Sequence, residues 1–366
     1  MLKFIYGRAA TGKSFKIIKD ICADVLNGKD TVLLVPEQFT FESERALLKE
    51  LGNRASTDVS VLSFTRLYDE VSRNVGGRVA NNITEGDKVL LMNRAFKSVK
   101  DKLAVWGKYV NSPRFTQNLI SAVNEFKTAA VLPEDIDNAT EQLQSAYLKL
   151  KLRDIFLIYS AYNSLLGNTF LDRADDLIRL NEKLLSFKYF EGKNVYIDSF
   201  KNFTGQQYKI IERILTQADN VFVSLTSNDI FDTELSLFSN VNATVRRISD
   251  IAKKHSVKKE EPLKLIENHY KNESLKSLET YLSKNASDIS SSGAISIFKC
   301  ETLSDEAEFA ARTIRKLVRE EGYRYRDFVI IARNAETYQK YIAKHCKNND
   351  LHHLELLHPL QQLRQG

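Results

Sequence analysis

Residues Gly7-Arg8-Ala9-Ala10-Thr11-Gly12-Lys13-Ser14 fit the pattern GxxxxGK[ST]. An apolar run, Leu2–Tyr6, precedes them, and apolar residues follow at Ile18, Ile21, Cys22 and Val25. The first run suits a strand and the second spacing suits a helix. Strand, loop, helix is the context in which this pattern cradles phosphate, because backbone N–H groups of the loop and the helix start point at the anion. Gly7 and Gly12 then supply backbone angles and close approach that a Cβ would block. Lys13 would meet the β- and γ-phosphates, and the Ser14 hydroxyl would bind Mg²⁺. The ligand expected is ATP with Mg²⁺, held by Gly7, Arg8, Ala9, Ala10, Thr11, Gly12, Lys13 and Ser14.

A second constellation is Val195-Tyr196-Ile197-Asp198-Ser199-Phe200. A strand ending in Asp is the expected partner of a phosphate loop, since that carboxylate holds the Mg²⁺ shell. Hydrolytic proteins of this kind place Glu directly after the Asp, as general base for the attacking water. Here the position is Ser199, which cannot do that near neutral pH, so the chain's own ATPase chemistry is expected to be impaired. A third feature is Ser63-Phe64-Thr65-Arg66 after a predicted strand. An aromatic ring beside hydroxyls and a base could stack a nucleobase and hold a phosphate; taken alone, Phe64 suits a core position better. A fourth is Tyr325–Asn334, where Arg333 ends a predicted strand. It could face nucleotide bound elsewhere or stand in solvent.

These residues need elements to hold them. Thr31–Val35 reads as a second strand closed by Pro36, Glu42–Leu51 as a helix and Val59–Ser63 as a third strand. Alternating strands and helices imply a parallel sheet. From Thr84-Glu85-Gly86-Asp87 onward the periodicity is helical. Ser112-Pro113 is a helix cap with proline at the first position. Long helices are predicted over Glu141–Leu165 and Asp172–Leu185, with no strand between about 84 and 192. The α/β pattern resumes with strand Asn194–Asp198, helix Gln206–Leu215 and strand Asn220–Leu225. Residues 253–293 are polar and end in Ser290-Ser291-Ser292-Gly293, which reads as a linker. Strand Ala294–Phe298, helix Asp305–Glu321, strand Asp327–Ala332 and helix Glu336–Cys346 follow. The tail Leu351–Gly366 does not continue a sheet pattern.

The predicted fold is therefore α/β: a RecA-like phosphate-loop domain with a parallel sheet, a large helical insertion, and the start of a second α/β domain. The boundaries are 1–84 plus 193–250 for the discontinuous first domain and 85–192 for the insertion. Residues 251–293 form the linker, and 294–366 form a partial second domain, expected to be truncated.

Composition narrows the function classes. No stretch of about 18 apolar residues occurs, so no membrane-spanning helix is expected. The apolar start is too short for a signal-peptide core, and the expected compartment is the cytoplasm. Cys22, Cys300 and Cys346 have no metal-ligand spacing, which excludes a zinc or iron–sulfur site built from this chain. Net charge is +6, which permits a polyanionic partner without demanding one.

The arrangement resembles superfamily 1 helicases. VYIDSFKNFTGQQY at 195–208 is similar to their VDEFQDTNxxQY segment, with Asp198, Phe200, Gln207 and Tyr208 in step and Ser199, Lys201 and Asn202 departing. SFTRL at 63–67 looks like their TFHSL motif, which contacts single-stranded DNA. Asp175-Asp176-Leu177-Ile178 resembles a segment preceding the second half of their first domain. YRDFVIIARNAETYQ resembles the opening of their second motor domain, where the arginine matching Arg333 approaches the γ-phosphate. The adenine-reading Gln segment and the QSIYxFRGA pattern are missing; SNDIFDTELSLF stands in place of the latter. A closer resemblance is to the AddB (RexB) subunits of AddAB helicase–nucleases. It rests on GRAATGKS, on LVPEQFTF at 34–41, on SFTRL, and on Glu125-Phe126-Lys127 with Leu132-Pro133-Glu134-Asp135-Ile136. It covers roughly residues 1–345.

That resemblance implies an AddA-type helicase–nuclease partner in a heterodimer, and single-stranded DNA and duplex ends as substrate. It also implies hotspot recognition in the exiting strand and a C-terminal nuclease domain with an iron–sulfur staple; no residues of that last domain occur here. Three functions compete: a DNA-binding, helicase-like scaffold that binds ATP without translocating, an active ATP-dependent translocase, and a phosphate-loop kinase. Ser199 and the two missing motifs favour the first. The long helical insertion fits the kinase poorly.

Overall fold

The computed structural model describes residues 1–76, 81–167, 170–232, 236–284 and 293–348. It divides into two compact units, Met1–His269 and Tyr270–Gly366.

The first unit opens with β1 (Leu2–Gly7), α1 (Lys13–Leu26), β2 (Thr31–Leu34), α2 (Thr40–Leu51), a single turn α3 (Arg54–Thr57), β3 (Val59–Leu62) and α4 (Phe64–Val75). After an excursion it returns through α9 (Asp176–Ser186), β6 (Asn194–Ile197), α10 (Gly205–Gln217), β7 (Asn220–Thr226), α11 (Ser239–Lys254) and β8 (Leu263–Lys264). The six main strands are parallel and lie in the order β3-β2-β6-β7-β1-β8. Every residue of β2 and β6 is buried, as expected for strands covered by helices on both faces. Side chains alternate between the two faces. Leu2, Phe4 and Tyr6 join one core with Val195, Ile197, Ile210 and Ile214. Ile5, Leu33 and Tyr196 join the other with Ile17, Ile21 and Val25 of α1.

The edge strand corrects the predicted linker. Glu260 N–H donates to Leu2 O and Leu265 N–H to Tyr6 O, at 2.8 and 2.7 Å, and β8 pairs with Ile5 and Tyr6. Lys258, Lys259 and Lys264 give this stretch its linker-like composition. Lysines are what an exposed edge strand carries to discourage further pairing. Ser290–Ser292 of the predicted linker lie outside the described residues.

The excursion holds α5 (Glu85–Val99), α6 (Pro113–Thr128), α7 (Pro133–Glu141) and α8 (Ala146–Leu166). Thr84 and Asp87 form a capping box at the start of α5, and Ser112 caps α6 with Pro113 behind it. The long helix expected over Glu141–Leu165 is α8, which starts at Ala146 because Ser145 caps it there. A two-residue pair, β4 (Asn81–Asn82) with β5 (Phe170–Leu171), ties the ends of the excursion together. It corrects the expectation of no strand here, and it is too short to leave a periodic trace. The helices have their own core around Met92, Phe96, Val123, Ile158 and Tyr162. Asp154 pins the α5–α6 connection by accepting from the backbone N–H groups of Ala104, Val105 and Trp106 at 2.8, 2.8 and 2.9 Å.

Two contacts join this excursion to the sheet layer. Buried Lys127 pairs with Asp172 at 3.1 Å and Asp175 at 2.8 Å. Burial alone would raise the Asp172 pKa, but Lys127, the Ala174 N–H and Lys88 hold it below its ordinary value. Gly205, at the start of α10, lies against α6's end so closely that a Cβ there would stand 1.9 Å from Ala129 O.

The second unit contains α12 (Glu273–Lys284), α13 (Leu303–Glu320) and α14 (Ala335–Asn348). Ala311 and Cys346 pack between α13 and α14, with Ile314 and Ile342. The strands expected over Ala294–Phe298 and Asp327–Ala332 are not formed. Ile297, Val329 and Ile331 are 94, 78 and 81% exposed. The residue types suit strands, but a strand exists only through a ladder partner, and none occurs among the described residues. The tail Leu351–Gly366 lies outside them.

Candidate nucleotide and nucleic-acid site

Because all six strands run parallel, the loops following them gather along one edge of the sheet, the usual place for ligands in open α/β sheets. The phosphate-loop residues stand between β1 and α1. Ala10 and Gly12 both adopt left-handed backbone, with φ of 58° and 77°. Thr11 Oγ1 donates to Arg8 O at 2.9 Å. Lys13 Nζ turns back on the loop and donates to Gly7 O and Arg8 O at 2.9 and 2.7 Å. Helix α1 has no side-chain cap and no acidic residue in its first turn, so its positive N-terminal end is left to an anion. Its far side is anchored by Asp24, which accepts from Asn194 Nδ2 at 2.7 Å and from the Tyr196 hydroxyl at 2.8 Å. Ser14 is exposed.

The two glycines have different reasons. Gly12 needs its left-handed φ. Gly7 does not; a Cβ there would stand 2.5 Å from Leu265 O and 2.6 Å from Thr11 Oγ1. The neighbour is the chain just after β8. It continues past the loop, and His269 N–H donates to Ala10 O at 2.8 Å. The His269 ring lies 3.4 Å from where a Gly12 Cβ would be. Nothing in the sequence singles out His269, because it sits in the stretch that reads as linker.

Asp198 directly follows β6, and β7 lies between β6 and β1. Two strand spacings separate the Asp198 position from the loop, about 10 Å. Asp198 is only 6% exposed. Ser224 Oγ of β7 donates to its Oδ1, and Ser199 Oγ donates to its Oδ2 at 3.2 Å. Among the described residues no lysine, arginine or histidine forms an ion pair with it. Each oxygen is met by one neutral hydroxyl, an arrangement that leaves lone pairs with which the carboxylate could hold a cation. Ser199 is itself in left-handed backbone, φ 65°.

The Ser63–Arg66 segment opens α4. Ser63 caps α4, accepting from Arg66 N–H at 3.2 Å. Phe64 is 7% exposed. Its ring meets Phe200 and Phe203 edge-on at 5.6 and 6.3 Å. That ring is committed to the core and leaves no face on which a base could stack. Arg66 reaches Glu44 at 2.6 Å and Glu37 at 3.8 Å, and Thr65 is exposed. Exposed rings include Phe15 and Phe41, at the starts of α1 and α2, and Lys19 Nζ stands 4.5 Å from the Phe15 ring centre. Arg333 belongs to the second unit and is exposed there.

No helix among the described residues is long and apolar enough to cross a membrane.

Comparison with known proteins agrees with the motifs. The family described as ADDB, N-terminal, matches residues 4–279. The chain is 34% identical to an ATP-dependent helicase/deoxyribonuclease subunit (type B) of Clostridium tetani, over 93% of this chain and 31% of the relative. It is 34% identical to the same type of subunit from Thermoanaerobacter sp. strain X514, over 93% and 30%. It is 32% identical to that of Bacillus cereus strain B4264, over 92% and 30%. The chain thus spans about three tenths of the length of the curated relatives it matches.

Proposed function

This chain belongs to the AddB N-terminal family, and from that premise we propose that it is the nucleotide- and DNA-binding, helicase-like part of an ATP-dependent helicase/deoxyribonuclease subunit that processes DNA breaks for recombinational repair. Its sheet unit is a RecA-like phosphate-loop domain, interrupted by the helical excursion α5–α8, with α9 back in the sheet core, and extended by the strand at 263–264. An AddA-type subunit is its heterodimer partner, DNA ends and single strands are its substrate, and the cytoplasm is its compartment.

The observation that carries this reading is the pairing of the phosphate loop with a buried Asp198, met by the Ser199 and Ser224 hydroxyls, on the next strand but one. Gly7–Ser14 would hold the phosphates, with Lys13 leaving the Gly7 and Arg8 carbonyls for the β/γ oxygens. Ser14 and Asp198 would hold Mg²⁺, which neutralises phosphate charge when bound. Arg333 remains a candidate for nucleotide contact on its motif alone. Thr65 and Arg66 remain candidates for single-strand contact, whereas Ser63 and Phe64 have structural duties.

Hydrolysis is a separate matter. Ser199 offers a hydroxyl already donated to Asp198 and no group able to take a proton from water near neutral pH. ATP turnover by this chain should be negligible, with or without single-stranded DNA. A DNA-stimulated turnover abolished by Lys13→Ala would overturn the non-hydrolysing reading and make the chain an active translocase.

A further inference from the structure

Asp198 is held from a strand that lies outside its own sequence motif. Its own strand, β6, supplies the backbone: Asp198 N–H donates to Leu34 O at 3.0 Å. Its carboxylate is steered by two hydroxyls, one on each oxygen. Ser199 is the neighbour in sequence and donates at 3.2 Å. Ser224 lies on β7, the strand inserted between Asp198 and the phosphate loop, and is 3% exposed. A hydroxyl buried to that degree between two functional strands has one described acceptor, and it is the Asp198 carboxylate.

We propose that Ser224 is a positioning residue for the cation of the nucleotide site, fixing the rotamer in which Asp198 presents its remaining lone pairs toward the loop. This rests on reading the loop and Asp198 as a Mg²⁺–nucleotide site. Outer hydrogen bonds of this type orient a ligating carboxylate, and their loss typically lowers metal affinity about 10–100-fold. Among the described residues the Ser224 hydroxyl has no hydrogen bond to the phosphate loop, so nucleotide binding without metal should not depend on it.

The test is a titration of a fluorescent ATP analogue into the full chain, with Mg²⁺ and with EDTA, for wild type, Ser224→Ala and Ser224→Cys. The wild type should bind more tightly with Mg²⁺. Ser224→Ala should lose about tenfold or more of that gain with its EDTA affinity unchanged, and Ser224→Cys, which keeps the volume and a weaker donor, should fall between. Ser224→Ala matching wild type in Mg²⁺ would overturn the assignment and leave the nucleotide site standing. Equal losses in Mg²⁺ and EDTA would overturn it too, by making Ser224 merely structural. Absence of any binding by the wild type would sink both readings together.

Discussion

Single residues separate what is chemical in this site from what is structural. Ala10 holds φ at 58° with no glycine to ease it. Left-handed backbone costs an L-residue roughly 1–2 kcal/mol, and part of that returns as lost chain entropy when glycine is introduced. Ala10→Gly should therefore stabilise the fold by about 0.5–1 kcal/mol in chemical denaturation, and a destabilisation would show that the loop backbone is not strained. Phe64 makes the opposite point. Removing a buried ring typically costs about 3–5 kcal/mol, so Phe64→Ala should lower the melting temperature sharply while folded protein keeps its DNA affinity. Unchanged stability with weakened DNA binding would return Phe64 to the surface role that its motif suggests. Ser199 and Asp198 are legible at this scale because the pattern around them is local. Ser224 and His269 are not, because each reaches the site through a strand pairing that sequence spacing does not reveal.

At the level of elements, the ends of α10 and α11 are tied by one carboxylate. Glu212 accepts from His255 Nε2 at 2.6 Å and from Lys254 at 3.0 Å. Burial alone would raise its pKa, yet these hydrogen bonds and charges bring it down to about 2. A carboxylate depressed in the folded state stabilises the fold above its unfolded pKa and loses that contribution as pH falls through the folded value. Stability should thus decline between about pH 4.5 and pH 2, and Glu212→Gln should flatten that part of the profile; an identical slope in both proteins would refute the tie. The junction at Gly205 is sterically stricter. A methyl group aimed at Ala129 O from 1.9 Å cannot be absorbed without moving α6 or α10, so Gly205→Ala should cost about 1–3 kcal/mol. Wild-type stability in that variant would mean that the contact is loose. Helices and buried strands are readable from periodicity and from caps such as Thr84 and Ser112. The edge strand β8 is not, because two residues, Leu263 and Lys264, are too few to carry an alternating signal. Ala294–Phe298 and Asp327–Ala332 fail in the other direction: strand-like residue types without a described partner strand.

For the molecule as a whole, a net charge of +6 and an exposed Lys19 over the open Phe15 ring of α1 fit a polyanionic partner. If the contacts are mainly to phosphates, affinity for single-stranded DNA should fall steeply as salt rises, because bound counterions are released. A flat salt response would argue against backbone contact. The central claim is narrower than DNA binding: the sheet edge holds a working Mg²⁺–nucleotide site that does not turn over. Equilibrium titration of Mg-ATP into the chain, beside Lys13→Ala, tests it most directly. Saturable binding by the wild type, lost in Lys13→Ala, is the predicted result. Binding of equal strength in both proteins, or in neither, would contradict it.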